Sequence, residues 1–545
     1  MGGRSYIQAY IRAYIQESYR TAGTACGLIG TMPRADLLRP RVASLVAALL
    51  AASVGPTLAQ SAAGSSAGTS PFTPAPVSNS LPDLGSSANA TLSREDEYQI
   101  GRMMMRDLRS ENLVLDDPET ADYLQSLGGR IGVEAQDGEQ RLSFFAVRDP
   151  SVNAFALPGG FIGVNTGLML LTNSESELAG VVAHEIGHVV QRHIARTVQA
   201  QSGSSLAQLA GVLGAVLIGV MTGSGDAVPG LIAMGQGVAM QKQINFTRME
   251  EHEADRVGIG YMASAGFDPN GMAGFFATMM RERGVGGEEI PSLLLTHPVD
   301  SVRIAEARAR VIGLSQYPRR PDTATYPYVR ERLRVIAGTQ ENDQRRYYER
   351  MRANDPDNGP LRYGAALAEI KSGSPKNAIA LLQPLVAAQP QLPLLQGALA
   401  QAQLAAGRRS EGLATFERAL ELAPRNVPLS VHFAQALLQV GEAKRAHLLL
   451  LDLFNNVTPT PEQIRLIAVA ASSAGDTGDA YYYMAELHLS GGDLMLATTQ
   501  LDLALASPEI TEVQRKRFLA RREEIRGYLR EQRGNRSSRP ASPPG

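Results

Sequence analysis

Apolar residues recur at three- and four-residue spacing along most of this chain, and the interruptions of that pattern mark its organisation. The pattern predicts a capped helix from Ser93 and Asp96 through Met103 to Leu108. Asp117-Pro118 then opens a second helix through Leu124 to Ile131. There the period changes. Leu142–Val147, Asn153–Leu157 and Phe161–Asn165 read as strands, the last two joined by the turn Pro158-Gly159-Gly160, and together they predict a small antiparallel sheet. The edge of such a sheet either pairs with an extended peptide, through Asn153, Ala154 and Phe155, or is a plain supporting hairpin. A further helix begins at Ser174, with Glu177 three residues on as a capping box. It carries Leu178, Val181, Val182, Ile186, Val189, Val190 and Ile194. An acidic stretch, Glu250 to Asp255, opens another apolar helix through Val257, Ile259, Tyr261 and Met262.

Two segments depart from these amphipathic patterns. Residues 206–221 and 228–240 are almost wholly apolar and rich in glycine, and each is short for crossing a bilayer. They predict a hairpin or flap, with a peripheral membrane contact or a plain core hairpin as the alternatives. The last third of the chain repeats. Gly373, Gly407 and Gly441 are spaced by 34 residues, Pro390, Pro424 and Pro459 follow at 34 and 35, and a looser copy has Gly492, Ala497 and Pro508. Period 34 with two helices per unit is the tetratricopeptide signature, and stacked units form an α-solenoid whose concave surface binds protein or peptide. Residues 315–355 read as a junction with bridging helices, 356–530 as the array, and 531–545 as a disordered basic tail.

The N-terminus reads as targeting sequence. Arg34, Arg39 and Arg41 precede an apolar run over 42–54, and Thr57-Leu58-Ala59 offers small residues for cleavage, so 1–59 resembles a secretory signal. Residues 1–31 do not fit a signal, and Met32 is a better start. The alternative is an uncleaved anchor. Residues 60–92 read as a disordered linker rich in Ser, Ala, Pro and Gly. The sole cysteine, Cys26, lies upstream of the cleavage site, so any metal ligands must be His, Asp or Glu. A formal net charge of −2 over 545 residues gives no case for nucleic acid.

The chemistry concentrates at His184-Glu185-Ile186-Gly187-His188. On a helix the two histidines share a face and can bind one zinc, and Glu185 is placed to serve as general base for water. Catalytic zinc usually takes three protein ligands. His193 is nearest in sequence, but helical geometry rotates it away from the other two, so it reads as structural. The acidic stretch is the better source. Glu251 and Asp255 share a face, one suited to the metal and one to a ligand imidazole, while Glu253 points elsewhere.

Glu251-x-x-Ala254-Asp255 downstream of His184-Glu185-x-x-His188 resembles the gluzincin zinc metallopeptidases of the HtpX and Oma type. Asn153-Ala154-Phe155 with Pro158-Gly159-Gly160, Arg248 ahead of the glutamate, and Thr296-His297-Pro298 with Arg303 are similar to segments of the same family. The resemblance implies that His184, His188 and Glu251 bind one Zn2+, that Glu185 is the catalytic base, and that Asp255 is the second acidic residue of catalysis. It casts Arg248 and Arg303 as supporting residues and His297 as a regulatory metal ligand able to hold the enzyme latent. With the signal and the repeats, the chain is most similar to the BepA (YfgC) type of periplasmic protease-chaperone. That similarity implies polypeptide substrates, outer-membrane β-barrel proteins and their assembly machinery as partners. The expected fold is mainly α: an α+β zincin-type metalloprotease domain over 93–314 followed by the tetratricopeptide array. A different class of function, a chaperone or assembly scaffold binding through its repeats, stands as the alternative.

Overall fold

A computed structural model describes residues 92–135, 141–200, 248–285, 292–314, 316–338 and 341–537. The leader, the linker and the apolar stretch 206–240 lie outside the described residues. Among the described residues, no helix is long and apolar enough to cross a membrane.

The first two helices begin where the caps place them. Ser93 and Asp96 form a reciprocal capping box on α1 (Arg94–Ser110), and Asp117 caps α2 (Pro118–Glu134) with Pro118 in its first turn. The sheet follows as β1 (Ser143–Val147), β2 (Ala154–Leu157) and β3 (Phe161–Asn165). Its order is β1-β3-β2 and it is mixed, not antiparallel throughout. The β2–β3 hairpin is antiparallel, with Ala154 opposite Val164. It brings β3 beside β1, and both run against β2, so Ser143 pairs with Phe161 in parallel register. The hairpin turn needs its glycines. Gly159 and Gly160 have φ of 78° and 87°, and a Cβ on Gly159 would lie 2.4 Å from the Tyr98 Cα.

After a short α3 (Thr166–Leu171), α4 (Glu175–Val190) runs through the middle of the core. Every residue from Glu175 to Val189 except Glu177 is buried. Ser174 accepts the Glu177 N–H, but the Glu177 carboxylate turns back to the Asn173 N–H, one residue before the cap, so the predicted capping box is only half made. The Asp322 carboxylate, from the junction, also accepts the Glu175 N–H at 2.9 Å. The chain continues through α5 (His193–Ala200), α6 (Arg248–Ser264), α7 (Asn270–Val285), the single turn α8 (Ser292–Thr296) and α9 (Ser301–Ile312). Helices α4 and α6 meet backbone to backbone. A Cβ on Gly187 would lie 3.0 Å from the Ala254 carbonyl oxygen, and one on Gly258 2.9 Å from that of Ala183.

The bridging helices α10 (Thr325–Ala337) and α11 (Glu341–Asn354) lead into paired helices: α12 (Gly359–Lys371) with α13 (Pro375–Ala388), α14 (Pro393–Ala405) with α15 (Arg409–Leu422), α16 (Val427–Gln439) with α17 (Ala443–Phe454), and α18 (Pro461–Ala474) with α19 (Thr477–Ser490). Each pair turns at a glycine with positive φ: Gly373, Gly407, Gly441 and Gly475, at 76°, 78°, 86° and 87°. The fourth unit therefore keeps the 34-residue period at Gly475. Gly492, the centre of the expected looser copy, instead turns α19 into α20 (Leu494–Leu505). The final helix α21 (Glu512–Ser537) extends into the stretch expected to be disordered.

The array is fastened to the peptidase-like part by buried ionic contacts. Arg332 of α10 meets Asp117 at 2.6 Å and Glu119 at 2.8 Å, and His432 of α16 meets Glu119 at 3.0 Å. Burial would raise the Glu119 pKa, but Arg332 and His432 outweigh it and hold the carboxyl down to about 2. Gly407 and Gly159 separate two costs of substitution. Gly407→Ala meets open space and should lose only the left-handed penalty, about 1–2 kcal/mol. Gly159→Ala adds a backbone collision, for roughly 2–5 kcal/mol in all. Urea midpoints of the two variants, by circular dichroism, check that order.

Candidate metal centre

Two elements supply the donor cluster and a third closes it. His184 and His188 lie one turn apart on α4, Glu251 lies in the first turn of α6, and His297 follows α8. One donor atom from each of the four falls within 4.8 Å of all the others, and all four residues are buried. The Nε2 atoms of His184 and His188 are 3.0 Å apart, and each is 3.4 Å from a Glu251 oxygen. His297 Nδ1 stands 2.9 Å from Glu251 Oε1 and 3.3 Å from His184 Nε2. Glu185 is fully buried, and neither carboxylate oxygen has a hydrogen-bond partner. Its Oε1 is 3.6 Å from His297 Nε2.

The outer nitrogens of the two α4 histidines are each held, that of His184 by a carboxylate and that of His188 by another imidazole. His184 Nδ1 donates to Asp255 Oδ1 at 2.8 Å, which leaves its Nε2 lone pair facing the cluster. Asp255 is fixed in turn by Arg303, which donates from Nε at 2.7 Å and Nη2 at 2.8 Å. The third guanidinium nitrogen, Nη1, donates to the Pro298 carbonyl and lies 2.8 Å from Glu251 Oε2. His188 is oriented less directly. Its Nδ1 is 2.7 Å from His193 Nδ1, and His193 Nε2 is 3.3 Å from Glu253 Oε2. With Glu253 accepting from Nε2, His193 Nδ1 is the acceptor. His188 Nδ1 must then donate, and its Nε2 lone pair also faces inward.

Sequence reasoning placed His184, His188, Glu251, Asp255, His297 and Arg303, and the structure brings all six together. It set aside His193, which is indeed outside the donor cluster, and it did not see that His193 and Glu253 position His188. The signal was hidden because α4 ends at Val190 and the chain turns at Arg192, a non-glycine residue with φ of 54°. A helical projection carried past that turn puts His193 on the wrong side. Arg192 holds the turn by donating to the Leu92 carbonyl at 2.7 Å and Glu97 at 3.1 Å. Arg248 is an exposed first residue of α6 and takes no part in the cluster's hydrogen bonds or ion pairs among the described residues. Asn153, Ala154 and Phe155 are buried. Just ahead of β2, the Val152 carbonyl already accepts the Leu293 N–H, and Thr296 donates to the Asn153 side chain at 3.5 Å. That stretch therefore braces the segment carrying His297.

The electrostatics describe a site short of positive charge. Burial alone would lower the His184 pKa, yet Asp255 and Glu251 lift it to about 10. Burial drives His188 well below its ordinary value. Burial would raise the Glu251 carboxyl, but His297 and the other two imidazoles hold it well below the usual range. Asp255 is likewise lowered against its own burial by His184 and Arg303. Two imidazole nitrogens 3.0 Å apart beside a buried carboxylate are the donor set of a cation site, and the proton that His184 retains up to about pH 10 stands where that cation would.

Residues 118–311 match the model of peptidase family M48, and residues 345–402 match a tetratricopeptide repeat model. The beta-barrel assembly-enhancing protease of Yersinia pestis is 30% identical over 454 residues, which span 83% of this chain and 92% of that protein. The chain belongs to the family of the beta-barrel assembly-enhancing proteases. A putative member from Vibrio cholerae is 40% identical over 275 residues, covering 49% of this chain and 55% of that protein. The mitochondrial metalloendopeptidase OMA1 of Arabidopsis thaliana is 35% identical over 153 residues, 28% of each chain.

Arg303 is the buried guanidinium that stands against both Asp255 and Glu251. Arg303→Met leaves Asp255 and Glu251 buried without it and should cost about 3–5 kcal/mol. The thermal midpoint of the purified full-length variant measures that loss, and a midpoint near wild type would show that the carboxylates are neutral in the fold.

Proposed function

We propose that this chain is a zinc-dependent endopeptidase of the bacterial periplasm that acts in quality control of outer-membrane protein assembly. The observation that carries the peptidase reading is the convergence of His184, His188 and Glu251 beside Glu185, a buried carboxylate with both oxygens unbonded. Two imidazoles and a carboxylate suit zinc, which when bound supplies Lewis acidity to a peptide carbonyl and to water. Glu185 takes a proton from the attacking water and returns it to the leaving amide nitrogen. Its missing hydrogen bonds keep it a free acceptor, and its burial removes competing solvent. Asp255 holds His184 through Nδ1 and is itself held by Arg303, so its part in catalysis is to fix a ligand's orientation.

His297 offers a fourth nitrogen to the same point. With a metal held by His184, His188 and Glu251, His297 in that position would exclude water and a substrate carbonyl, and the resting enzyme would be latent until the α8 segment moved. The signal-like leader supports a periplasmic location, and the names of the Yersinia and Vibrio relatives support β-barrel proteins as substrates or partners. The same fourth donor and the large repeat array favour a second reading, a chaperone or scaffold whose cleavage is secondary.

Glu185→Gln should abolish casein cleavage, by at least about 100-fold, while metal analysis still finds one zinc per chain. His184→Ala should lose both. Cleavage that survives Glu185→Gln would sink the mechanism. His297→Ala should raise basal cleavage, and an unchanged or lower rate would reject latency. The scaffold reading predicts that Glu185→Gln still restores envelope integrity to cells lacking the protein.

A further inference from the structure

A crevice of about 600 Å3 separates α1 from the last turns of the array, and none of the donor cluster lines it. One wall carries Tyr98, Arg102 and Arg106, with Arg141 beside them. The other carries the turn after Leu489, and Arg521 and Tyr528 of α21. Among the described residues it is lined by five arginines against two glutamates.

The arginines are not equally satisfied. Arg521 is bound by Glu486 at 2.7 and 2.8 Å, and Arg106 meets Asp107 at 3.1 Å. Arg102 and Arg141 have no carboxylate partner among the described residues. Arg102 donates to the Leu489 carbonyl at 2.6 Å, and among the described residues the Arg141 guanidinium has a ring contact and no hydrogen bond. Both guanidinium groups stand over the same ring, Tyr98, at 6.0 and 5.9 Å from its centre. The ring is itself stacked on Phe161 at 5.6 Å. Two like charges are thus held on one aromatic platform, and among the described residues neither is paired with a carboxylate. Met103 and Tyr528, 43% and 53% exposed, add apolar surface at the rim.

This is the chemistry of carboxylate capture. Planar guanidinium forks bind carboxylates through paired hydrogen bonds, and apolar rims accept the neighbouring side chains. The volume is that of a site enclosing several groups of a ligand. A flat bilayer surface cannot enter a crevice walled on both sides. One wall belongs to a repeat array, the kind of scaffold that takes extended peptide. We infer that this crevice binds an anionic segment of extended polypeptide, with a carboxylate between Arg102 and Arg141. The inference rests on the reading of the chain as a protein that handles polypeptide, and it adds a contact that requires no cleavage.

A carboxylate can come from a chain terminus or from acidic side chains. Three short fluorescent peptides of Ser, Ala and Tyr separate them: one with a free C-terminus, one amidated with internal Asp, and one amidated and neutral. Anisotropy is read with the full-length Glu185→Gln protein, so that the probe is not consumed. At least one anionic peptide should bind and the neutral one should not, and the binding should weaken with salt. Arg141→Gln should weaken it about tenfold. The Arg141 side chain is exposed and makes no hydrogen bond among the described residues, so this variant should keep the wild-type thermal midpoint. Equal binding of the neutral peptide, no binding of any peptide, or indifference to Arg141→Gln overturns the inference. So does Arg141-dependent binding of phosphatidylglycerol vesicles without peptide binding, which would assign the arginines to a membrane surface. If the His297→Ala protein binds peptide but cleaves neither it nor casein, the peptidase reading fails and the crevice stands.

Discussion

The structure depends on keeping ionisable groups where there is no water. The imidazoles of His184, His188, His193 and His297, the carboxylates of Glu185, Glu251 and Asp255 and the Arg303 guanidinium are buried around the meeting of α4, α6 and α9, and each desolvated charge costs several kcal/mol unless it is compensated. The compensation is arranged from outside inward. Arg303 neutralises Asp255 and approaches Glu251. Asp255 fixes one imidazole, and Glu253 fixes another through His193. What remains without a hydrogen-bond partner in this cluster, both Glu185 oxygens and one of Glu251, lies beside the inward nitrogens of His184 and His188. The cluster has, in effect, been built around a missing positive charge.

Much of this was legible because the relevant interactions are local. His184 and His188 share a face by helical spacing, Glu251 and Asp255 do so on the next helix, and caps at Ser93 and Asp117 set helix starts within one residue. What periodicity could not supply was non-local or broke its own rule. Strand pairing is chosen by tertiary packing, so nothing along 143–165 says that β1 pairs with β3 in parallel rather than with β2. The positioning of His188 by His193 depends on a left-handed turn at Arg192, which carries no glycine to announce it. The fourth repeat kept its glycine at 475, but position 493, where the spacing places the closing proline, holds Asp493, the N-cap of α20. The weaker match at Gly492 drew the assignment seventeen residues late.

The peptidase-like part and the array are one mechanical system at two levels. Asp322 lies in the junction between them and caps the helix that carries both histidines, while Glu175 of that helix accepts from Thr323 and Tyr123. Further along, Arg332 and His432 bury charge against the N-terminus of α2. The end of α4 remote from its histidines is therefore anchored by the segment that leads into the repeats. Strain in the array has a covalent and hydrogen-bonded path into the helix of the donor cluster, rather than only a contact across a surface.

The glycine contact between α4 and α6 decides which wall of the site can move. Gly187 and Gly258 let the two backbones touch, so the spacing between the histidines and Glu251 is set by main-chain atoms that have no rotamers to change. These helices behave as a single rigid jaw. The opposite wall is a single helical turn, α8, joined to the hairpin edge by the Leu293 N–H and by Thr296. Movement on that side would break few hydrogen bonds among the described residues and would carry His297 with it, while His184, His188 and Glu251 stay in place, so access and retention of those three donors are mechanically separate properties of the molecule.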